Sequence, residues 1–288
     1  MPAALRTLLL DGQVIPALPL ALGRTRRWDE RRQRAVVRYY ADAGAGGLAV
    51  GVHSTQFAIR DPRHGLFEPV LALAAAEARA WRGTGARGPF ALIAGLCGRT
   101  PQAVGEARTA AGLGYHAGLL SLGAWARDDE RAVLAHCRAV ARELPLVGFY
   151  LQPAVGGRVL THAFWRRFAE IPEVVAIKIA PFHRYRTIDV VRAVLEVGRD
   201  DVALYTGNDD HILGDLLTPF TFGGRTRHID GGLLGQWGVG THAAVRLFAD
   251  VQRARARPRF DAVAGLEASQ PAGSPWRVGG TDSSDGLA

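Results

Sequence analysis

Eight short apolar segments alternate with longer segments of helical periodicity along this chain of 288 residues. Each apolar segment reads as a continuous hydrophobic run, which is typical of a parallel strand that is buried on both faces. Strands that alternate with helices form βαβ units, and eight such units in order favour closure into a barrel over an open sheet. The predicted strands cover residues 14–20, 48–52, 90–96, 118–122, 146–152, 174–180, 202–206 and 228–233.

The sequence therefore predicts a (β/α)8 TIM barrel over residues 1–257, at the usual size of about 250 residues for this fold. A hydrophobic content of 48% is sufficient for one large core. No glycine-rich dinucleotide fingerprint follows the first predicted strand, which disfavours an open doubly wound sheet. Residues 258–288 are rich in Gly, Ser, Pro and Asp without periodicity, and we expect a short, irregular C-terminal extension there.

The net charge of +8 raises the possibility of a nucleic-acid partner. However, the arginines are spread along predicted helices, often beside acidic residues, and are not interleaved with aromatic side chains. No apolar run approaches the roughly 20 residues that span a bilayer. We expect neither a nucleic-acid partner nor a membrane partner. The two cysteines, Cys97 and Cys137, are expected to be reduced thiols, which favours a cytoplasmic location.

The most informative residue is Lys178, because 34 of the 35 basic side chains are arginine and this is the one lysine. It lies in an apolar, β-branched strand at 174–180. An arginine cannot replace a lysine where a deprotonated amine is needed, and burial among apolar side chains lowers a lysine pKa. The free amine could then attack a ketone and form a Schiff base. The alternative is a structural lysine that reaches solvent or pairs with a buried acid.

Tyr150 lies on the predicted strand next to that of Lys178, so its hydroxyl could reach the amine and relay protons. These residues carry a resemblance in three motifs: Phe149-Tyr150-x-x-Pro153, Ala176-Ile177-Lys178 and Gly207-Asn208-Asp209-Asp210. Their order, and the interval between Tyr150 and Lys178, resemble the dihydrodipicolinate synthase / N-acetylneuraminate lyase family of class I aldolases. The resemblance covers roughly residues 13–250, and the Tyr–Lys pair is its most specific part.

This resemblance implies a (β/α)8 barrel in which Lys178 forms the Schiff base and Tyr150 relays protons. The implied substrate is pyruvate or another 2-oxo acid, together with an aldehyde. The family resemblance also implies a homo-oligomer, a dimer or a tetramer. We expect no cofactor and no metal, because no His, Asp and Glu set has a convincing ligand spacing and the Schiff base requires none.

The second predicted strand is followed by Gly51-Val52-His53-Ser54-Thr55, where the family typically has Gly-Thr-Thr-Gly-Glu. His53, Ser54 and Thr55 offer hydrogen-bond donors, and we expect them to bind the substrate carboxylate. His53 could instead act as an acid or base near neutral pH, or be a loop histidine bonded to backbone.

The seventh predicted strand ends in Gly207, Asn208 and Asp209, which we expect to contact substrate hydroxyls. Asp209 could instead cap the following helix. The arginine that true dihydrodipicolinate synthases place shortly after Tyr-x-x-Pro is absent here, since Arg158 comes late. We therefore do not expect a true dihydrodipicolinate synthase.

The leading hypothesis is a Schiff-base-forming aldolase or lyase that acts on pyruvate or another 2-oxo acid, including a 2-keto-3-deoxy sugar acid. A second hypothesis is a non-catalytic barrel that binds a 2-oxo acid as a sensor or an assembly partner. A third is a barrel isomerase with His53 as its base, in which Lys178 would be dispensable.

Overall fold

The computed structural model describes residues 3–83 and 88–256, and over these ranges the chain forms a (β/α)8 barrel. The eight parallel barrel strands are β1 (Val14–Pro16), β2 (Gly47–Val50), β3 (Ala91–Leu96), β4 (Ala117–Leu120), β5 (Leu146–Leu151), β6 (Val174–Ala180), β7 (Ala203–Thr206) and β10 (Gly231–Leu234). The helices are α1 (Ala3–Leu10), α2 (Glu30–Asp42), α3 (Phe67–Gly83), α4 (Thr100–Gly112), α5 (Glu130–Ala141), α6 (His162–Ala169), α7 (Arg184–Glu196), α8 (Ile212–Leu217) and α9 (Thr241–Ala256). The predicted fold class is confirmed.

The strands follow one another around the barrel in chain order, with β1 paired to β10. The gap between β1 and β2 is bridged by one parallel pair, Ala17 with Ala49, and by a hydrogen bond of 2.8 Å from the Leu18 amide to the Ala49 carbonyl. The barrel is therefore nearly closed. Because all strands run in parallel, their carboxyl ends meet at one face, where barrel enzymes carry their catalytic residues.

Two layers of apolar side chains fill the barrel unit, and successive residues of a strand alternate between them. Ala49, Ile93 and Phe149 belong to the layer inside the barrel. Val50 and Tyr150 belong to the layer between the strands and the surrounding helices. A shift of one residue in strand phase therefore moves a side chain from the barrel interior to the helix interface.

The helix that follows β1 begins at a residue whose side chain caps it. Asp29 is the N-cap of α2, and its side chain accepts a hydrogen bond from the Arg32 amide at 2.9 Å. Asp129 caps α5 in the same way, through the Ala132 amide at 2.7 Å. An N-cap side chain satisfies a backbone donor that the first helical turn leaves without a partner. These caps fix where each helix begins after its strand-to-helix loop.

Helix α1 was not predicted, and it closes the N-terminal end of the barrel. Leu5 and Leu9 pack into the apolar layer inside the barrel. The Tyr205 hydroxyl donates to the Leu9 carbonyl at 2.8 Å, and Arg6 pairs with Asp201 at 2.6 Å. Because α1 covers this end, ligands reach the barrel interior from the carboxyl ends of the strands.

The chain departs from the prediction mainly near the last strand. Residues 228–233 were predicted as the eighth strand, and the observed strand is β10. Before it lies an unpredicted antiparallel hairpin, β8 (Phe220–Phe222) with β9 (Arg225–Arg227).

The chain divides into a compact unit, Met1–Val251, and a second unit that begins at Gln252, of which the structure describes only the end of α9. The predicted irregular tail at 258–288 lies outside the described residues, so the boundary at 257 stays a prediction. Within the described part of the chain, no helix is long and apolar enough to cross a membrane.

Candidate active site

Lys178 lies on β6, and its side chain points into the barrel, on the same face of the strand as Ala176 and Ala180. The residue is only 9% exposed. Burial lowers the pKa of its amine from 10.5 to about 8, and the nearby Asp209 carboxylate opposes this shift. Among the described residues, no carboxylate forms an ion pair with this amine, which argues against the structural alternative of a lysine paired with a buried acid.

Two neighbouring strands shape the space around the amine. Phe149 on β5 is the register partner of Lys178, and the Lys178 Nζ atom lies 4.6 Å from the centre of its ring. On β7 the partner is Tyr205, and Gly207 follows two residues later. A Cβ atom at Gly207 would lie 2.7 Å from the Lys178 Cε atom, so only glycine leaves room for the lysine side chain there.

Tyr150 was predicted to relay protons to Lys178, but its side chain lies on the other face of β5. Its hydroxyl donates to the Leu160 carbonyl at 3.1 Å and accepts from the Leu160 amide at 3.2 Å. Its ring packs against Trp165 of α6, with 5.1 Å between ring centres. The prediction that this hydroxyl reaches the amine is wrong in this structure, because the residue that faces Lys178 is Phe149, which has no hydroxyl.

The loop after β2 carries the three residues predicted to bind the substrate carboxylate, and their side chains have different surroundings. Ser54 Oγ lies beside Gly235, at the end of β10, and has no hydrogen-bond partner among the described residues. Thr55 is completely buried, and its hydroxyl donates to the Leu18 carbonyl at 2.6 Å. The one hydroxyl proton of Thr55 is used in this hydrogen bond, so the hydroxyl cannot also donate to a carboxylate. Its predicted role in binding the carboxylate is therefore wrong.

His53 lies in the same loop and is exposed. Its ring stacks on that of Phe57, with 6.0 Å between ring centres. Thr55 holds this loop in place, because its hydroxyl oxygen accepts a hydrogen bond of 3.0 Å from the Gly51 amide. His53 is thus a side chain at the open face of the barrel, and it belongs to neither apolar layer of the core.

Asn208 was predicted to contact substrate, but its side chain is buried and fully engaged. Its Oδ1 atom accepts from the Phe182 amide at 2.9 Å, and its Nδ2 atom donates to Thr187 at 3.1 Å and to Asp215 at 2.8 Å. Asp215 also accepts from Thr206 at 2.7 Å and pairs with Arg184 at 3.2 Å. Asn208 therefore holds the loops together and has no donor left for a ligand.

This network supports an unusual backbone conformation next to the lysine. Phe182 has a φ of +49°, in the left-handed region that a bulky side chain rarely adopts. Phe182 lies four residues after Lys178, and its amide donates a hydrogen bond to Asn208 Oδ1. Its ring packs on the apolar layer inside the barrel. A strained residue that is held by buried hydrogen bonds is a recurring feature of ligand sites.

Asp209 lies at the mouth of the barrel, two residues after Gly207, and is exposed. Partial burial raises the pKa of its carboxyl, whereas the charge of Lys178 lowers it. Neither Asp209 nor Asp210 caps the next helix, because the N-cap of α8 is His211. Asp209 is thus a carboxylate near the amine that no helix end engages.

The structure adds residues that sequence reasoning missed. Phe149 faces the amine, and Phe182 packs on the apolar layer inside the barrel just after β6; no polar pattern marked either residue. Arg60 is a further one: it binds the carbonyls of Gly51 and Gly95, at 3.0 and 2.8 Å, and pairs with Glu106 at 2.8 Å. It ties the ends of β2 and β3 together beneath the mouth.

Cys97 and Cys137 are free thiols whose pKa values burial raises to about 11 and about 12, respectively. Neither thiol is therefore an activated nucleophile at neutral pH. In the described ranges no group of three or more His, Cys, Asp or Glu side chains could hold a metal ion.

Solved structures with this architecture include dihydrodipicolinate synthase from Aquifex aeolicus, at 17% identity and a TM-score of 0.70, covering 89% of this chain and 80% of that one. N-acetylneuraminate lyase from Fusobacterium nucleatum matches at 16% identity and a TM-score of 0.68, covering 90% and 80%. A prophage protein of the dihydrodipicolinic acid synthase family from E. coli K12, in complex with pyruvate, matches at 15% identity and a TM-score of 0.69. That match covers 88% of this chain and 78% of the prophage protein. At these identities the likeness establishes the shared (β/α)8 fold.

No family model matches the chain. A curated protein, thiamine-monophosphate kinase from Synechococcus elongatus (strain ATCC 33912 / PCC 7942 / FACHB-805), is 42% identical over 76 residues. That segment is 26% of this chain and 23% of the kinase, so the chain spans less than a quarter of the curated relative it matches.

Proposed function

We propose that this protein is a Schiff-base-forming aldolase or lyase for pyruvate or another 2-oxo acid, and a divergent member of the dihydrodipicolinate synthase / N-acetylneuraminate lyase family. The observation that carries the proposal is Lys178, a buried amine inside a barrel, with a pKa lowered to about 8 and no ion-pair partner within residues 3–83 and 88–256. The similarity in fold to members of that family, one of them in complex with pyruvate, supports the same assignment.

The amine of Lys178 attacks the ketone carbon of the 2-oxo acid and forms a carbinolamine, which loses water to give an iminium. In the cleavage direction the bond between C3 and C4 breaks, its electron pair moves to the iminium as an enamine, and the proton of the C4 hydroxyl leaves with a base. The aldehyde departs. Protonation of the enamine at C3 and hydrolysis of the iminium then release the second product and restore the amine.

Asp209 is the best candidate for the acid and base in these steps, in place of Tyr150. Its charge acts directly on the Lys178 amine, and its own pKa is raised by partial burial. A carboxyl with a raised pKa exchanges protons more readily near neutral pH than an ordinary one. The Tyr150 hydroxyl, by contrast, is hydrogen-bonded to the Leu160 carbonyl and amide.

Ser54 and His53 are the candidates for binding the substrate carboxylate. The Ser54 hydroxyl has no hydrogen-bond partner in the part of the chain that the structure describes, and His53 is exposed in the same loop. This set is smaller than the predicted one, since Thr55 is engaged. Assembly into a homo-oligomer, a cytoplasmic location and the identity of the 2-oxo acid stay predictions. A 2-keto-3-deoxy sugar acid remains one candidate for that substrate.

The test is reductive trapping of the intact chain with pyruvate and borohydride, followed by peptide mass spectrometry. We expect a stable adduct on the peptide that contains Lys178. Lys178→Met should abolish the adduct, and Tyr150→Phe should keep it, because the phenol faces away from the amine. If no member of a broad 2-oxo acid panel is trapped, the Schiff-base function is wrong. An adduct without turnover of any aldol would favour the non-catalytic barrel.

A further inference from the structure

A cavity of about 500 Å³ lies on the carboxyl-end face of the barrel, between the loops that follow β1 and β2. Its apolar wall includes Leu20, Trp28, Ile59 and Leu66. The volume is within the range of about 300 to 1,000 Å³ that is usual for small-molecule sites. None of the residues predicted for the lysine site lines this cavity.

The rim of the cavity is strongly basic. Arg26, Arg27, Arg63 and His64 line it, and no acidic side chain does. Arg63 is neutralised, because it makes a two-pronged contact with Asp61. Arg26 and Arg27 differ from Arg63: in the described part of the chain neither has a carboxylate partner. Two guanidinium groups beside an apolar wall, without a partner of their own, form a site for an anion with an apolar part.

The loop that carries these arginines is an ordered hairpin. Leu22 and Trp28 form an antiparallel bridge, the Gly23 amide donates to the Arg27 carbonyl at 2.8 Å, and the Arg26 amide donates to the Gly23 carbonyl at 3.0 Å. The Trp28 indole is fixed by a hydrogen bond of 3.2 Å to Gln33. The aromatic wall and the two arginines are therefore presented by one small, hydrogen-bonded element.

Arg26 adopts a φ of +58°, in the left-handed region where glycine and asparagine are the favoured residues. An arginine at this position costs local backbone energy that asparagine would avoid. Strain of this kind persists where surrounding hydrogen bonds hold it, as those between Gly23 and Arg27 do here, and it is concentrated at ligand sites. The backbone conformation and the charge thus coincide at Arg26.

We infer that this cavity is a second ligand site, which binds a small molecule that combines an anionic group with an aromatic or similarly flat apolar group. The anionic group, a phosphate or a carboxylate, binds Arg26 and Arg27, and the apolar group packs against Trp28 and Leu20. The site is separate from the lysine site, because its walls come from the loops after β1 and β2 and the lysine lies on β6. Occupancy therefore does not depend on the Schiff base.

The test is calorimetric titration of the whole protein with phenyl phosphate, inorganic phosphate and phenol at physiological ionic strength. Phenyl phosphate should bind at least about tenfold more tightly than either fragment, since the two halves of the cavity contribute together. In the double variant Arg26→Asn with Arg27→Gln, the affinity should fall about tenfold or more, because charge-assisted hydrogen bonds are lost. Arg24→Gln is the matched control: Arg24 belongs to the same hairpin but does not line the cavity.

The control should change the affinity by less than about twofold, because salt screens a charge that makes no direct contact. Asparagine suits the left-handed position, so the double variant should keep the melting temperature of the parent, and lost affinity cannot then be attributed to unfolding. Pyruvate trapping on Lys178 should persist in the same variant, which separates this site from the proposed catalytic one. The inference is overturned if phosphate alone binds as tightly as phenyl phosphate, or if the double variant and the control lose affinity equally.

Discussion

At the scale of single residues, the candidate site depends on the one lysine and on the side chain of β5 that faces it. Lys178 lies in an apolar strand, and its register partner is Phe149, whereas the Tyr150 side chain packs between β5 and the helices. Tyr150 was misplaced because β5 is apolar on both faces, so the alternation of residues along the strand does not show which side chains point into the barrel. The pairing of β5 with β6 shifts register between Leu146 and Val147, and after this shift Phe149 is the residue opposite Lys178. Such a shift has no signature in the sequence alone.

Glycine at position 207 should be required for Schiff-base formation. In Gly207→Ala the new methyl group would meet the Lys178 Cε and the Ala180 Cβ atoms, at 2.7 and 2.9 Å, and displace the amine. We expect the yield of trapped pyruvate adduct to fall about tenfold or more, since a displacement near 1 Å can cost about 10²-fold in rate. Gly105→Ala, where a Cβ meets nothing within 4 Å, is the control and should trap normally.

The reactivity of Lys178 should follow the lowered pKa. Competitive labelling with acetic anhydride reports this directly, because the chain has one lysine. Labelling should rise with pH and reach half its maximum at about 8. In Asp209→Asn the midpoint should move to lower pH, since the lost carboxylate no longer stabilises the ammonium. Asp210→Asn should leave the midpoint in place. A midpoint near 10.5 would contradict a buried amine.

At the scale of elements, two polar residues at strand ends hold loops in place. Thr55 and Asn208 were predicted as ligands for substrate, yet both hold loops through buried hydrogen bonds. The sequence alone could not distinguish a loop-holding role from a ligand-binding one, because a hydroxyl or an amide suits either role. What decides is whether a backbone group or a side chain such as Asp215 already occupies its hydrogen-bonding atoms.

Arg60 should contribute far more to stability than the nearby Arg63. It links the ends of β2 and β3 and is the buried partner of Glu106, so Arg60→Met would leave a carboxylate buried without its cation. We expect a loss of about 3 to 5 kcal/mol in the free energy of unfolding, measured with urea. Arg63→Met removes an exposed pair with Asp61 and should cost less than about 1 kcal/mol. Equal losses would show that Arg60 is not buried as described.

At the scale of the whole molecule, repetition made the architecture predictable. Eight βα units fix the strand order and the functional face, whatever the details of each strand. Elements that lie outside the repeat were missed, namely α1 and the hairpin of β8 and β9. Their short segments resemble other apolar or polar stretches, and only their packing against the barrel defines them.

The buried amine should also lower the stability of the whole molecule near neutral pH. The pKa of Lys178 in the folded state is about 8, below its ordinary value of 10.5, so between these values the unfolded chain binds more protons. Stability contributed by this group is therefore lowest below about pH 8 and increases towards about pH 10.5. Lys178→Met should be more stable than the parent at pH 7, by about 1 to 3 kcal/mol.

This difference in the free energy of unfolding should shrink as the pH rises through that window, because the parent then loses the cost of burying an ammonium. Urea denaturation of both proteins at several pH values from 7 to about 10 measures it. A variant that is less stable than the parent at every pH would mean that the lysine contributes to packing more than it costs in desolvation.

Helix α1 gives the proposed reaction a direction. Because Leu5, Leu9 and the Tyr205 contact close one end of the barrel, small molecules can approach Lys178 only from the carboxyl ends of the strands. If the chain is the two-reactant aldolase proposed above, the 2-oxo acid on the lysine lies deeper than the aldehyde. In the condensation direction the aldehyde then binds second, and an excess of it should slow turnover by blocking release of the 2-oxo acid. That behaviour is inhibition by substrate without a regulatory site.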